Sequence, residues 1–295
     1  MSDPVTRAVI ALYDRFTHEG MDRRAFMTEL VRITGGAAAA AAMLGTVAAQ
    51  AGCAPVVPAD DDRLLTETLS WDVRQGRQLA LYAARPERGG DDLPAVVVVH
   101  ENRGLNEHIR DVARRVALAG YAAYAPDFLT ASGGTPADED QARTMIGALD
   151  MPATVADGAA LIRRLAGVNN RRKVGAVGFC WGGAMVHRLA LAAGPALAAG
   201  VPFYGPAPDP AEAARLQVPL LVILAGRDQR VNGTALPYVQ AAEAAGKPVR
   251  AITYPDVDHA FHNDTSQARY NQAAAQQAWA ETLAFFRQHL GQGAA

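Results

Sequence analysis

The sequence predicts one α/β domain with a mostly parallel, doubly wound sheet. Two observations carry that reading. A short β-branched run without a polar face stands at 95–99, as a central parallel strand covered on both sides requires, and further apolar strand candidates stand at 174–177 and 220–224. Stretches with apolar residues at helical spacing alternate with them, the rhythm of strand–helix units. A chain of 295 residues, 50% hydrophobic and 20% charged, can bury the core such a domain needs. Its formal net charge of -2 gives no footprint for nucleic acid or an anionic membrane surface, so neither is expected as a partner. Two cysteines, Cys53 and Cys180, form neither a disulfide framework nor a metal cluster by spacing.

Residues 1–52 differ in character from the rest. Arg23 and Arg24, followed by Phe26 and Met27, precede an uncharged Gly/Ala-rich stretch at 35–49, with Ala48 and Ala49 where small residues permit cleavage. This resembles a twin-arginine export signal, with a polar lead longer than usual. It implies the twin-arginine machinery as a transit partner and a periplasmic or exported protein. About 15 apolar residues fall short of the roughly 20 that span a bilayer, so an uncleaved membrane anchor is the second choice. An Ala-rich amphipathic helix packed on the domain is the competing account. Residues 53–67, rich in Pro and Asp, read as a linker, which leaves 68–292 as the folded domain.

Within the domain, two β-prone runs between 68 and 84 flank Gly76 as an antiparallel hairpin would. Strand 95–99 follows. A helix at 107–119 places Ile109, Val112 and Val116 on one face, and Gly120 ends it before strand 121–125. Helices at 138–149 and 154–165, strand 174–177 and a helix after Gly182 continue the alternation. Strands at 198–204, 220–224 and 249–254 then alternate with helices at 236–245 and 273–290.

The residues that carry chemistry lie at the ends of these strands. Gly178-Phe179-Cys180-Trp181-Gly182-Gly183 has the form of a nucleophile elbow, where small residues two before and two after the nucleophile let a strand turn abruptly into a helix. A helix N-terminus favours a thiolate, so Cys180 is the nucleophile candidate; a buried structural cysteine is the alternative. Asp228 follows the next strong strand and His259 the last one. The chain order nucleophile, acid, base makes them the acid and general-base candidates, where each alone would pass for an ordinary loop residue. After strand 95–99 comes His100-Glu101-Asn102-Arg103-Gly104. A backbone N–H near Asn102 pairs with that of Trp181 as a candidate oxyanion hole. Glu101 is a candidate for holding the thiol proton; an ion pair with Arg103 is the alternative.

At these residues the chain resembles the dienelactone hydrolase, or carboxymethylenebutenolidase, family, in its exported branch. The resemblance runs from about Trp71 to Leu290. It rests on the Val-Val-Val-His-Glu-Asn-Arg-Gly segment, Asp111 to Arg115, Ala125-Pro-Asp, Gly178 to Gly183, Pro202-Phe-Tyr-Gly, and Asp258-His-Ala-Phe-His-Asn-Asp. It implies an α/β-hydrolase fold and a Cys180–His259–Asp228 hydrolase that forms a thioester, with Glu101 regulating the thiol. No metal or organic cofactor is implied. The family's best-known members grip the carboxylate of dienelactone with an arginine just after the histidine and another in mid-chain. Here His262, Asn263 and Asp264 occupy the first region and Arg143 stands without a clear counterpart of the second. The departure turns the expectation from dienelactone toward another small ester or lactone, with Arg143, Tyr204, Phe261 and His262 as pocket candidates. A broad carboxylesterase or thioesterase, and a catalytically silent binding protein on the same fold, are the rivals.

Overall fold

The computed structural model describes residues 4–19, 21–48, 55–88, 93–167 and 172–291. Its centre is an eight-stranded sheet in the order β1-β2-β4-β3-β5-β6-β7-β8. β1 (Leu64–Arg74) and β2 (Arg77–Pro86) form an antiparallel hairpin, and β2 pairs antiparallel with β4 (Ala122–Asp127). The remaining strands, β3 (Ala95–Val99), β5 (Val174–Phe179), β6 (Ala199–Phe203), β7 (Leu220–Ala225) and β8 (Val249–Tyr254), run parallel. Every residue of β3, β5, β6 and β7 is buried, which is why these strands read as unbroken apolar runs.

Alternation along β3 splits the core. Val96 and Val98 pack with Ile109, Val112 and Val116 of α4 (Glu107–Leu118) and with Phe286 of α9 (Gln272–Leu290). Val97 and Val99 face Leu161 of α6 (Met151–Ala166), Met185 of α7 (Trp181–Ala192) and Val231 of α8 (Gln229–Ala244). A further helix, α5 (Glu139–Gly147), precedes α6. The chain leaves β3 for β4 on one side and returns to β5 on the other. The carboxyl ends of β3 and β5 therefore flank a topological switch point, where open α/β sheets place ligands.

Three stretches differ from the sequence reading. α8 begins at Gln229, capped by Asp228, rather than at 236, because Pro237 masks the helix that runs through it. β1 begins at Leu64, inside the stretch read as linker; its pairing with β2 is a tertiary fact that Pro/Asp composition does not announce. Just upstream, the backbone N–H groups of Val56 and Val57 donate to the Asp111 carboxylate, tying this segment to α4. The N-terminal stretch folds as three helices, α1 (Pro4–His18), α2 (Arg23–Thr34) and α3 (Ala37–Ala48). Val9, Leu12, Phe16, Phe26, Leu30 and Val47 give them a small core of their own. Ala49 and Cys53 lie outside the described residues.

Candidate active site

Cys180 stands between β5 and α7 with φ 56°, a left-handed conformation that costs a non-glycine residue of order 1 kcal/mol or more. The turn is possible only because its neighbours lack side chains. A Cβ on Gly178 would sit 2.3 Å from the Gly182 carbonyl oxygen, and one on Gly182 would sit 2.4 Å from that of Val99. The cysteine N–H donates to the Phe203 carbonyl of β6, which holds the elbow against the next strand.

His259 and Asp228 arrive from the loops after β8 and β7. His259 Nδ1 lies 2.5 Å from Asp228 Oδ2, both side chains are buried, and a second Asp228 oxygen accepts from the Val231 N–H. Burial raises the carboxyl of Asp228, but attraction and hydrogen bonding from His259 outweigh it and hold its pKa below the usual value. Burial likewise works against a charge on His259, yet the Cys180 sulfur and the Asp228 carboxylate outweigh it and raise the imidazole above an ordinary histidine. With Nδ1 engaged, Nε2 of His259 is directed elsewhere; it is buried without a hydrogen-bond partner, and Cys180 lines the same cavity.

The loop after β3 supplies the other wall. His100 is fully buried, stacked on Trp181, and its Nδ1 donates to the Glu101 carbonyl at 2.7 Å while Nε2 accepts from the Phe128 N–H. Because C=O and N–H of a trans peptide point in opposite directions, pinning the Glu101 carbonyl turns the Asn102 N–H the other way. Trp181, the first residue of α7, has a backbone N–H with no intrahelical acceptor. Glu101 lines the cavity, 6% exposed; one oxygen accepts from Asn263 at 2.8 Å and the other has no partner. Arg103 pairs with Glu139 and Asp140 rather than with Glu101.

Over this cavity lies α1. His18 Nε2 approaches Cys180 Sγ to 3.0 Å, and its ring meets that of His259 edge-on at 4.7 Å. Its Nδ1 donates to the Asp14 carbonyl at 2.8 Å, so Nε2 presents its lone pair to the sulfur. Burial lowers the His18 pKa well below the usual value, with the His259 charge adding to the effect. Asn102 Nδ2 donates to the Thr17 carbonyl at 3.4 Å, Arg103 to Tyr13 Oη at 2.9 Å and Arg143 to the Phe16 carbonyl at 3.0 Å. Arg269 reaches Asp14 at 3.4 Å. The space left is about 30 Å³, room for little more than a water molecule.

The four pocket candidates do not line that space. Arg143 is turned to α1, with its guanidinium also 4.5 Å above the Phe16 ring. Tyr204 and Phe261 are fully buried, and His262, 3% exposed, stacks on Phe179; they form the floor behind His259. Proximity in sequence to the candidate histidine does not say which way a side chain points. His18, Ser266 and Arg269 line the space with no sequence signal for it, and Arg103 and Asn263, which the sequence marks only as neighbours of Glu101 and His262, line it too. The one signal for α1 was the long polar lead, in which Val9, Leu12, Tyr13 and Phe16 recur at helical spacing.

Known proteins resemble the chain from β2 onward. The Dienelactone hydrolase family model matches residues 79–290. The chain belongs to the dienelactone hydrolase family. A relative named "Putative carboxymethylenebutenolidase" from Escherichia coli K12 is 33% identical over 233 residues, covering 74% of this chain and 85% of its own. Protein usf of Aquifex pyrophilus is 31% identical over 225 residues, covering 74% and 96%. Among solved structures, the "Putative Dienelactone Hydrolase" of Klebsiella pneumoniae superposes with a TM-score of 0.68 at 30% identity, covering 77% of this chain and 99% of that one. As a family member the chain is a dienelactone hydrolase-like hydrolase with the α/β-hydrolase fold, and the match begins downstream of α1, α2 and α3.

Proposed function

We propose that this hydrolase cleaves a small carboxylic ester or lactone bearing an anionic group, through Cys180, His259 and Asp228. The reading rests above all on the 2.5 Å contact from Asp228 to His259 Nδ1, which leaves Nε2 free in the cavity that holds the sulfur of the elbow. In this scheme His259 takes the thiol proton and the Cys180 sulfur attacks the carbonyl carbon. The N–H groups of Asn102 and Trp181 receive the oxyanion, an effect worth about 3 kcal/mol per donor. Collapse of the tetrahedral adduct expels the alkoxide, which takes the proton from His259, and leaves a thioester. Water, deprotonated by His259, then releases the acid and restores the thiol. Asp228 fixes the imidazole tautomer throughout. Glu101, with one oxygen unpartnered beside this centre, is the group that exchanges a proton with the sulfur.

An anionic substrate is favoured by Arg103 and Arg269, whose guanidinium groups line the cavity and are engaged by Tyr13 and Asp14 of α1. Since the closed cavity admits little more than water, α1 must withdraw for turnover. Withdrawal frees Arg269 Nη1 and Arg103 Nη2 for a carboxylate, while Glu139 and Asp140 keep the other Arg103 nitrogens. Mass spectrometry of the intact protein during turnover of small carboxylated lactones and esters tests the scheme: an acyl adduct on Cys180 is expected, and full activity in C180A would overturn it.

We further propose that 1–52 serves as a twin-arginine address, with Arg23 and Arg24 exposed at the start of α2. No single described helix is long and apolar enough to cross a membrane, and α2 and α3 meet at a 107° bend. Replacing both arginines with lysine should retain the protein in the cytoplasm; unchanged export on cell fractionation would contradict the address.

A further inference from the structure

Three donor atoms converge where only one proton is to be shared. A ring nitrogen of His18, one of His259 and Cys180 Sγ all lie within 4.8 Å of one another, with His18 Nε2 3.0 Å from the sulfur. Both imidazoles are anchored through Nδ1, that of His18 on the Asp14 carbonyl and that of His259 on the Asp228 carboxylate. Carbonyl and carboxylate partners on the far ring nitrogen are the outer supports that metal-binding histidines use to aim the near one. The near nitrogen of His259 is 2% exposed as a residue and has no partner of its own. Two imidazole nitrogens and a sulfur, with a water-sized space beside them, form a donor set for a thiophilic, tetrahedral divalent cation with one open position.

We propose that His18, Cys180 and His259 form a binding site for a zinc-type divalent cation, assembled when α1 docks on the domain. Zinc–sulfur and zinc–nitrogen bonds of about 2.3 and 2.0 Å set tetrahedral donors roughly 3.3–3.6 Å apart. His18 and Cys180 at 3.0 Å are already close to that spacing, and the widest pair needs a shift on the order of 1 Å. Binding leaves Cys180 as a metal thiolate and both imidazoles as neutral nitrogen ligands, and the one proton that Cys180 and His259 share goes to solvent. On the hydrolase reading given above, which this consequence rests on, the cation occupies both nucleophile and base and pins α1 over them. The site is therefore a reversible off-switch.

The full-length C53S protein, titrated with ZnCl2 by calorimetry and with CoCl2 by absorbance, tests the assignment. One equivalent should bind, and cobalt should give a thiolate-to-metal charge-transfer band in the near ultraviolet. The band should vanish in C180S, and H18A should weaken zinc binding at least tenfold while its circular dichroism stays native. Zinc binding in H18A equal to that of the parent, or no thiolate band in the parent, would overturn the site. A protein that binds zinc as described but, freed of metal, hydrolyses no ester sinks the hydrolase reading and leaves the site standing. An active protein indifferent to ZnCl2 does the reverse.

Discussion

The rim of the sheet and the helix that covers it present the same sulfur with two histidines, held by different means. His259 stands on a loop whose position follows from β8, and its Asp228 partner from β7, so strand order alone carries them to Cys180. His18 reaches the sulfur from 162 residues away, on a helix attached by a few polar contacts from Asn102, Arg103, Arg143 and Arg269. A position enforced by sheet topology resists loss of any single contact. One held by scattered hydrogen bonds opens locally at a small fraction of the global stability.

The comparison breaks most sharply at Asp228. D228N keeps the imidazole in place with the wrong tautomer, so turnover of an active ester should fall by about 10³- to 10⁴-fold with little change in melting temperature. An enzyme that tolerates this substitution does not use the rim as described. G182A attacks the scaffold itself: a Cβ 2.4 Å from the Val99 carbonyl has no flexible side chain to displace, and denaturant titration should register a loss of about 3 kcal/mol.

Acid tests the sheet domain apart from its cover. His187 of α7 is fully buried with neither ring nitrogen hydrogen-bonded, and burial lowers its pKa to about 3. Its folded value lies below the unfolded one of about 6.5. The neutral ring's contribution is therefore complete above pH 6.5 and is lost progressively as pH falls toward 3. Between pH 7 and 5 the loss should be about 2 kcal/mol, and H187L should remove that part of the slope. The smallest effect is on the cover. D14A deletes the contact with Arg269 and leaves the Asp14 carbonyl, and with it His18, in place. Iodoacetamide should then label Cys180 several-fold faster, in line with an ion pair worth about 1 kcal/mol or less at a partly exposed site. Unchanged labelling would mean that α1 is not held there by this pair.

The same contrast explains what was legible in the sequence. The convergence of Cys180, Asp228 and His259 was readable because strand-to-helix turns demand small residues at fixed spacing and because each of the three directly follows an apolar run. Most element positions fell within a few residues for the same local reason. His18 was not readable: its role depends on docking between α1 and loops far along the chain, and one histidine among seven in a polar stretch carries no spacing signal. The twin arginines and the Ala-rich run drew the N-terminus toward an address, a reading that says nothing about where α1 packs. Tyr204, Phe261 and His262 do not line the closed cavity because backbone direction in the loops, with Ala260 at φ 62° and Tyr204 at φ 35°, decides which side chains look outward.

Those two residues and Cys180 are the described non-glycine positions with positive φ, and all three gather around one sulfur. Mutational drift toward a more robust fold would relax these positions first, since glycine adopts such angles freely. Thermal hardening of this protein and retention of its chemistry therefore pull on the same few peptide units, and variants selected for heat resistance alone should accumulate their losses of activity there.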